Sequence, residues 1–338
     1  MTKKALVLAE FDHQSVPLLE SLGYAVELAG WGQTRHALAE DELIELVDDV
    51  SLLVVEVEQI TAGVLEAAPQ LELIAACRGA PSNVDLNHAT ARGIPVLHTP
   101  GRNAEAVADF ALGLMLAVGR NICRADRHLR KGGWHVGTEI PYFHFRGPEL
   151  SGKCLGLLGC GHIGAALAER GQALGMDVLA HDPYVTPQEV DGLAKLVPMD
   201  TLLTRADFLS LHVPVSDETE HMIGAAEISQ MKSSVYLVNT ARAAVVVEDA
   251  LYRALETERI AGAALDVFWE EPLPKDSRWR RLDNVILTPH MAGAADDVKK
   301  HHTAMIIDDV RKFGQGERPS RVANSEVFAM AGRVAPGH

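Results

Sequence analysis

The feature that most constrains the fold is a glycine motif in the middle of the chain. Residues 159–164 read Gly-Cys-Gly-His-Ile-Gly, directly after an apolar run at 154–158 and before a helical pattern at 165–171. The glycines allow a tight turn, a close approach of the backbone to a pyrophosphate and close packing of helix on strand. The motif with these neighbours predicts a βαβ unit that binds a dinucleotide.

Short apolar runs alternate with helical segments on both sides of this motif, in two successive series. The first series has runs at 5–9, 25–28, 52–55, 73–76 and 95–97, and it closes at Thr99-Pro100-Gly101. The second has runs at 154–158, 178–180, 193–197, 208–213, 235–238, 261–265 and 285–287. Such runs are typical of parallel strands that are buried on both faces. The pattern predicts an α/β protein with two doubly wound parallel sheets.

Two longer segments have helical periodicity. Residues 103–130 predict one long helix that ends at Gly132 and Gly133. This helix is apolar nearly all round between Phe110 and Val118, so we expect that part inside the protein or between subunits. Residues 294–313 predict a final amphipathic helix, whose apolar stripe consists of Val298, Met305, Ile306, Val310 and Phe313.

Length and composition exclude several classes of protein. A chain of 338 residues suggests two domains, and 47% hydrophobic with 23% charged residues is typical of soluble proteins. The net charge of -15 argues against a nucleic-acid partner. The stretch between Asp109 and Arg120 is too short to span a bilayer, and the apolar run at 5–9 is too short for a signal peptide. We therefore expect no membrane partner.

The cysteines, histidines and basic residues show no metal-ligand spacing or binding pattern. Four scattered cysteines predict free thiols in a cytoplasmic protein, and they are Cys77, Cys123, Cys154 and Cys160. Five histidines are interpreted as surface or packing residues, and they are His128, His135, His144, His301 and His302. For the basic cluster at 278–281, a solvated turn is favoured over a binding patch. No metal site is expected.

Asp182 indicates which dinucleotide is bound. It ends the strand that follows the glycine motif, about 20 residues on, where a carboxylate can accept hydrogen bonds from a ribose diol. The same carboxylate would repel a 2′-phosphate. No arginine follows, because the next residues are Pro183 and Tyr184. NAD is therefore favoured over NADP.

Three polar segments follow strands of the second series. Arg242 ends Val-Asn-Thr-Ala-Arg at 238–242, Glu271 lies in Leu-Asp-Val-Phe-Trp-Glu-Glu-Pro at 265–272, and His290 ends Leu-Thr-Pro-His at 287–290. In an open α/β sheet, ligands bind outside the carboxyl ends of the strands. We therefore expect the guanidinium, the carboxylate and the imidazole to converge on one site.

These four motifs, in this order, resemble those of the D-isomer-specific 2-hydroxyacid dehydrogenases, which include 3-phosphoglycerate dehydrogenase and glyoxylate/hydroxypyruvate reductase. The resemblance covers residues 71–324 and includes Asn-Val-Asp at 83–85 and Thr-Pro-Gly-Arg-Asn at 99–103. It implies a flavodoxin-like substrate domain at 1–101 and 295–338, and a Rossmann NAD-binding domain at 102–294. It also implies a homodimer, because the family uses the region of residues 110–118 in a two-fold interface.

The resemblance implies a role for each polar residue. Arg242 would bind the substrate carboxylate and polarise the 2-keto oxygen. His290 would protonate that oxygen during reduction, or take the hydroxyl proton during oxidation. Glu271 would hydrogen-bond the other ring nitrogen of His290, fixing its tautomer and favouring the imidazolium.

The resemblance also implies a set of cofactor contacts. Asp266 would lie near the nicotinamide amide, residues 290–293 would close over the cofactor, and the loop of His212, Pro214 and Thr219 would lie beside the adenosine. The full set is Gly159, Gly161, His162, Ile163, Gly164, Asp182, His212, Pro214, Thr219, Thr240, Ala241, Asp266, His290 and Gly293.

The chain departs from the family pattern where the substrate would bind. Arg78, Gly79 and Ala80 stand in the loop whose glycine N–H groups bind the substrate carboxylate in the family. Arg78 would either contact a phosphate or second carboxylate of the substrate, or pair with an acid of the protein. The acidic loop at 55–59 stands where phosphoglycerate dehydrogenases carry an arginine, so 3-phosphoglycerate is not favoured. Because the chain ends at His338, we expect no added regulatory domain.

The sequence thus predicts an NAD-dependent D-2-hydroxyacid dehydrogenase that acts on a small 2-keto or 2-hydroxy acid. The alternative is an NAD-sensing corepressor, since the C-terminal binding proteins share the fold and the motifs. Formate dehydrogenases of the same superfamily have an amide in place of the acid partner of the histidine, so Glu271 argues against that activity.

Overall fold

The computed structural model describes residues 2–330 and divides the chain into two compact units. The first unit is Met1–Arg102 with Ala295–His338, and the second is Asn103–Ala294. The chain therefore leaves the first unit once and returns to it near its end.

The strands and helices follow one another in alternation along most of the chain. The strands are β1 (Lys3–Val7), β2 (Tyr24–Leu28), β3 (Val50–Val55), β4 (Leu73–Ala76), β5 (Val96–Leu97), β6 (Cys154–Leu158), β7 (Asp177–His181), β8 (Lys195–Leu196), β9 (Phe208–Leu211), β10 (Tyr236–Asn239), β11 (Gly262–Leu265) and β12 (Val285–Leu287). The α-helices are α1 (Val16–Ser21), α2 (Trp31–Thr34), α3 (Glu40–Leu46), α4 (Ala62–Glu66), α5 (Leu86–Ala91), α6 (Ala104–Gly119), α7 (Ile122–Arg130), α8 (Pro141–His144), α9 (His162–Ala173), α10 (Met199–Arg205), α11 (Ala225–Gln230), α12 (Glu248–Glu256), α13 (Val298–Gly314) and α14 (Val327–Met330).

The first unit is built on a five-stranded parallel sheet in the order β2-β1-β3-β4-β5, which is the flavodoxin-like order. Every residue of β3 is buried, because helices cover both faces of the sheet. Leu53 and Val55 pack with Leu65 on one face. Leu52 packs with Ile306 of α13 on the other face, which explains why the C-terminal segment belongs to this unit.

The second unit is built on a seven-stranded parallel sheet in the order β12-β11-β10-β9-β6-β7-β8. Counted from β6, this is the doubly wound dinucleotide-binding order with one more strand at the edge. The order reverses between β6 and β9, so the carboxyl ends of these two strands border the crevice where such sheets bind ligands. The predicted pair of doubly wound parallel sheets is confirmed.

The prediction of one helix over residues 103–130 is wrong. The segment forms α6 and α7, which are bent by 62° at the break between them. Asn121 has φ 56°, in the left-handed region that commonly ends a helix. No single helix among the described residues is long and apolar enough to cross a bilayer, and α6 and α7 meet such a criterion only as this bent pair, by length and composition.

The apolar part of α6 is largely core within its own unit. Ala111, Leu114, Met115 and Val118 are buried against the seven-stranded sheet. Burial within their own unit therefore accounts for part of the apolar character of residues 110–118, which does not by itself require a location between subunits.

Two other helix starts differ from the sequence prediction. The helix after the glycine motif begins at His162 rather than at 165, so His162 and Ile163 belong to its first turn. The last long helix begins at Val298 rather than at 294. The residues before it form turns, with the Ala294 N–H donating to the Met291 carbonyl at 2.8 Å.

Candidate active site

The glycine turn joins β6 to α9 at the carboxyl edge of the seven-stranded sheet. Gly159 has φ 91°, and a Cβ on it would lie 2.8 Å from the backbone oxygen of His212. A Cβ on Gly164 would lie 2.3 Å from the Gly159 oxygen, so neither position accepts a side chain. A Cβ on Gly161 would meet nothing within 4 Å, so the space beside this residue is open. The turn therefore leaves room for a ligand at the N-terminus of α9, where free N–H groups favour an anion.

Asp182 lies against this turn, directly after β7. Its Oδ2 accepts a hydrogen bond from the Cys160 N–H at 2.8 Å, and its Oδ1 accepts one from the Tyr184 N–H at 2.9 Å. No cation within the described residues forms an ion pair with it. The carboxylate is thus fixed in position beside the turn by two backbone N–H groups.

The loop after β9 borders the same turn. The His212 Nε2 hydrogen-bonds the Ser210 hydroxyl at 2.9 Å, and removal of the ring from water lowers the pKa of His212 to about 4. His212 is therefore neutral near pH 7 and brings no positive charge to the turn. Thr219 closes the loop, because its hydroxyl donates to the Pro214 carbonyl and accepts from the Ser216 N–H.

Arg242 follows β10 and is exposed. Asn239 shapes the turn before it, since its side chain donates to the Arg242 carbonyl and accepts from the Ala241 N–H, both at 3.0 Å. The guanidinium donates from Nη1 to the Ala241 carbonyl at 2.7 Å. The Thr240 hydroxyl is buried without a partner among the described residues. The turn therefore leaves most of the guanidinium N–H groups of Arg242 available to a ligand.

Glu271 and His290 are joined by a hydrogen bond, with Oε2 and Nδ1 2.8 Å apart. The other oxygen of Glu271 accepts the Phe268 N–H at 2.9 Å, so the carboxylate is held from both sides. Partial burial acts to raise the pKa of Glu271, but the hydrogen bonds from His290 and Phe268 and the charges of His290 and Arg242 outweigh it and leave this pKa below its ordinary value. The imidazole side chain is 48% exposed, which leaves its Nε2 free for a substrate.

The backbone that carries His290 is fixed by Asp266. The Asp266 carboxylate is fully buried, and it accepts hydrogen bonds from the Thr288 hydroxyl at 2.6 Å, the Met291 N–H at 3.0 Å and the Ala292 N–H at 2.8 Å. His290 itself has φ 51°, an uncommon conformation for a residue other than glycine. Asp266 therefore holds a strained turn in place around the imidazole.

A cavity of about 590 Å³ lies beside the Glu271–His290 pair. Its apolar lining includes Phe268, Leu273 and Leu287, and its polar lining consists of Glu271, His290 and Arg280 together with Thr288. Sequence reasoning missed Arg280 and the apolar lining residues. The only sequence signal for Arg280 was its place in the basic cluster.

The interpretation of this basic cluster as a solvated turn is wrong for Trp279. Residues 278–281 form a 3₁₀ turn in which Trp279 is 2% exposed and stacks on Trp269 with ring centres 5.3 Å apart. Arg278 pairs with Glu248 and Asp249. Burial of the Trp279 ring fixes the turn, and the charges of the cluster alone do not indicate that burial.

Arg78, Gly79 and Ala80 lie in the first unit, directly after β4. Arg78 donates weakly to the Glu56 carbonyl at 3.4 Å and forms no ion pair among the described residues. The Glu56 carboxylate pairs with Arg102 instead, at 2.7 Å. The suggestion that Arg78 is a structural arginine paired with an acid is therefore not supported.

The remaining predicted cofactor residue, Gly293, makes a close approach within the second unit. A Cβ on it would lie 2.6 Å from the Asn103 side-chain nitrogen. The structure thus brings together Arg242, Glu271 and His290 at one edge of the second unit, and it places the glycine turn and Asp182 on strands of the same sheet.

The chain is similar to proteins of known family over most of its length. The family profile "D-isomer specific 2-hydroxyacid dehydrogenase, NAD binding domain" matches residues 112–292. A glyoxylate reductase of Korarchaeum cryptofilum is 41% identical over 287 residues, which are 84% of this chain and 86% of the relative. A D-3-phosphoglycerate dehydrogenase of Methanocaldococcus jannaschii is 37% identical over 325 residues, which are 95% of this chain and 59% of the relative.

Among solved structures, the TT0316 protein from Thermus thermophilus superposes with a TM-score of 0.78 at 32% identity, covering 95% of this chain and 99% of that one. The open space at Gly161, the fixed carboxylate of Asp182 and the sheet order fit an NAD molecule at the carboxyl edge of the second unit. The chain belongs to the D-isomer-specific 2-hydroxyacid dehydrogenases, which makes it an NAD-dependent oxidoreductase that acts on a CH–OH group.

Proposed function

We propose that the protein interconverts small 2-keto acids and D-2-hydroxy acids, with Arg242, Glu271 and His290 as the residues that act on the substrate. The observation that carries this proposal is the Glu271–His290 pair at 2.8 Å, with the charge of Arg242 acting on the same carboxylate. A guanidinium, a carboxylate and an imidazole grouped in this way can bind an acid and move one proton.

His290 is the proton donor and acceptor of this set. Its Nδ1 is engaged by Glu271, so Nε2 is the atom that donates to the 2-keto oxygen during reduction and takes the hydroxyl proton during oxidation. The Glu271 carboxylate stabilises the imidazolium and fixes the ring orientation. Bound NADH would supply the hydride to C2 during reduction, and bound NAD⁺ would accept it during oxidation, so one hydride and one proton balance the reaction.

Arg242 binds the substrate carboxylate. Among the described residues, its guanidinium donates one hydrogen bond to the protein, from Nη1 to the Ala241 carbonyl. The planar guanidinium can therefore offer a bidentate pair of hydrogen bonds to a carboxylate. The same positive charge draws electrons from a neighbouring keto oxygen, which favours the reduction.

The NAD molecule is held by the glycine turn and by Asp182. The N-terminal N–H groups of α9 suit the pyrophosphate, and the Asp182 carboxylate suits the ribose diol. The loop of His212, Pro214 and Thr219, the turn of Thr240 and Ala241, and residues 290–293 complete the proposed cofactor site. Asp266 contributes to this site by holding the turn at residues 290–293 through hydrogen bonds to its backbone.

The first candidates for the substrate are glyoxylate and hydroxypyruvate, since relatives of this chain are named as reductases of these acids. A phosphorylated substrate held by the loop at 55–59 is not favoured. Glu56 is used by Arg102, and Glu58 is buried and accepts the Trp31 N–H at 2.8 Å. These two carboxylates form contacts within the first unit. The loop at 55–59 contains no positively charged residue that could bind a phosphate.

The protein is proposed to act as a homodimer through the region after α6. Half of the exposed large apolar side chains of the described residues fall between 122 and 143, and they are Ile122, Leu129, Trp134, Ile140, Tyr142 and Phe143. An exposed apolar group of this size is typical of a protein interface.

The experiment is a screen of 2-keto acids with NADH, in which the loss of NADH absorbance is followed. We expect turnover of glyoxylate or hydroxypyruvate, and we expect His290→Gln to lower kcat by about two to four orders of magnitude. His301→Gln, a change at an exposed histidine of the first unit, is the matched control and should keep its activity. A protein that binds NADH but oxidises it with none of the acids would instead favour the corepressor alternative.

A further inference from the structure

Arg280 lines the cavity beside the Glu271–His290 pair and has an unusual set of partners. Its Nε donates to the Pro274 carbonyl at 3.0 Å, and its Nη2 donates to the Leu273 carbonyl at 3.1 Å. No carboxylate lies within ion-pair distance of it among the described residues. Two backbone carbonyls orient the guanidinium but do not neutralise it, so its positive charge remains uncompensated.

The neighbouring Arg278 shows what a structural arginine of this turn looks like. It contacts two carboxylates, at 3.0 Å for Glu248 and 2.6 Å for Asp249, and its guanidinium lies over the Tyr252 ring at 4.5 Å. Arg278 is therefore paired with carboxylates, whereas Arg280 is exposed, has no carboxylate partner among the described residues and lines the cavity.

The cavity leads from the reacting residues to Arg280. His290 and Glu271 are part of its lining, and Phe268, Leu273 and Leu287 give it apolar walls. Among the described residues, neither the glycine turn nor Arg242 lines it, so the cavity is separate from the proposed contacts of the pyrophosphate and of the substrate carboxylate. Its volume of about 590 Å³ is within the range of sites for small organic ligands.

We propose that this cavity is a specificity subsite for the far end of the substrate, in which Arg280 binds a second anionic group, a carboxylate or a phosphate. The proposal rests on the proposed function, because it places the C2 end of the acid at His290. Apolar walls suit the methylene groups between the two ends, and a guanidinium with free N–H groups suits a distal anion. Among 2-keto acids longer than glyoxylate and hydroxypyruvate, the subsite would thus select those that carry a terminal anionic group.

The test compares 2-keto acids of equal chain length with and without the terminal charge. The pairs are 2-ketoglutarate with 2-ketopentanoate, and 2-ketoadipate with 2-ketohexanoate. We expect the wild type to favour the charged acid of a pair in kcat/KM, and we expect Arg280→Gln to lower that ratio by about tenfold, mainly through KM, as one charge-assisted contact would give. Arg280→Lys should keep part of the ratio, and Arg281→Gln, a change at the exposed neighbour, should keep all of it.

Arg280 also donates hydrogen bonds to the loop that follows Glu271. The test must therefore distinguish a purely structural role of Arg280 from binding of a distal anion. Loss of that brace would lower kcat/KM for the charged and neutral acids equally, and such a result in both Arg280→Gln and Arg280→Lys would overturn the proposal. A free anion is a second source of the same chemistry. If the wild type shows no charged-acid preference, and inorganic phosphate alters glyoxylate reduction by the wild type but not by Arg280→Gln, the subsite binds a free anion and not the substrate.

Glyoxylate separates the failure of this proposal from the failure of the proposed function. It has no distal group that could reach Arg280, so its reduction by the wild type tests the proposed function alone. Activity on glyoxylate together with an Arg280→Gln ratio equal to that of the wild type would overturn the subsite and leave the dehydrogenase function standing.

Discussion

At the scale of single residues, the chemistry depends on how Glu271 is held. Its two carboxylate oxygens have different partners, the imidazole of His290 and the backbone N–H of Phe268. The backbone contact fixes the carboxylate even when the imidazole is neutral. The pKa of Glu271 lies below its ordinary value of 4.5, so Glu271 stays ionised at all pH values where catalysis would be measured.

The first prediction is that Glu271→Gln moves the pH profile of keto-acid reduction. Reduction needs protonated His290, so the rate falls as the pH rises. The negative charge of Glu271 stabilises the imidazolium, and without it the imidazolium persists only at lower pH. We therefore expect the limb of the profile to move toward acid.

The control for this prediction is Glu270→Gln, which removes an exposed charge one residue away. The measurement is kcat/KM for glyoxylate reduction between pH 5 and pH 9, with the range chosen about the ordinary titration of histidine. An unmoved limb in Glu271→Gln would show that Glu271 does not act on the proton donor.

The second prediction concerns Asp182 and the choice of cofactor. Its carboxylate is fixed beside the glycine turn by the N–H groups of Cys160 and Tyr184, where it would repel the 2′-phosphate of NADP. We expect the wild type to favour NADH over NADPH by at least about tenfold in kcat/KM, equivalent to about 1.4 kcal/mol. Asp182→Ser should narrow this gap.

Asp182→Asn separates the effect of the negative charge from that of the two backbone hydrogen bonds, because an amide oxygen can still accept from one of the two N–H groups. It should narrow the gap as well if the charge is responsible. Equal efficiency of the wild type with NADH and NADPH would be incompatible with the proposed role.

At the scale of elements, the decisive feature is the turn between β12 and the end of the second unit. This turn carries His290 in a left-handed conformation, and the buried Asp266 at the end of β11 holds it with three hydrogen bonds. Since β11 and β12 are neighbours in the sheet, the position of the imidazole depends on the register between these two strands.

The third prediction is that Asp266→Ala destabilises the second unit and lowers kcat. The change leaves the N–H groups of Met291 and Ala292 and the Thr288 hydroxyl without their acceptor. An unsatisfied buried group costs about 1–3 kcal/mol, and of the three contacts only that of the Ala292 N–H is fully buried. We therefore expect a loss of about 1–3 kcal/mol in the free energy of unfolding, measured by urea denaturation. Thr288→Val is the matched control, since it removes one of the three contacts and should cost less.

A normal kcat in a folded Asp266→Ala protein would mean that the turn around His290 is held by other contacts. A normal free energy of unfolding would mean that the freed N–H groups find water or another acceptor. Only the first result would remove Asp266 from the proposed positioning role, whereas the second would remove its contribution to stability.

At the scale of the whole molecule, the exposed apolar side chains are unevenly placed. They concentrate in α7, in α8 and in the segment between these helices, whereas α6 before them is largely buried by its own unit. An exposed apolar surface of this kind is typical of an interaction site, and a second copy of the chain would offer the same apolar surface to it.

The fourth prediction is a homodimer through this region. Light scattering should give twice the chain mass of 36.5 kDa. Leu129→Glu and Tyr142→Glu, at side chains that are 57% and 75% exposed, should shift the mass toward that of one chain, since a buried unpaired charge opposes association. Leu18→Glu, at a 51% exposed apolar side chain of the first unit, is the control and should leave the mass unchanged. A stable, active monomer of the wild type would contradict the prediction.

Much of the fold and the chemical character of the site could be read from the sequence. The alternation of apolar runs predicted both parallel sheets, because a strand that is buried on both faces must be apolar at successive positions, as β3 is. The glycine turn and the residues that follow β7, β10 and β12 are local signals. Their position at strand ends follows from parallel topology, which brings all carboxyl ends to one edge.

The tertiary structure alone decided the features that depend on contacts between distant residues. Examples are the break at Asn121, the three contacts of Asp266 and the presence of Arg280 and His290 in the lining of one cavity. In each of them a residue has several conformations or partners that its neighbours in sequence allow equally well. Packing of the complete unit selects one of these, because only there are the competing hydrogen bonds, charges and apolar surfaces satisfied together.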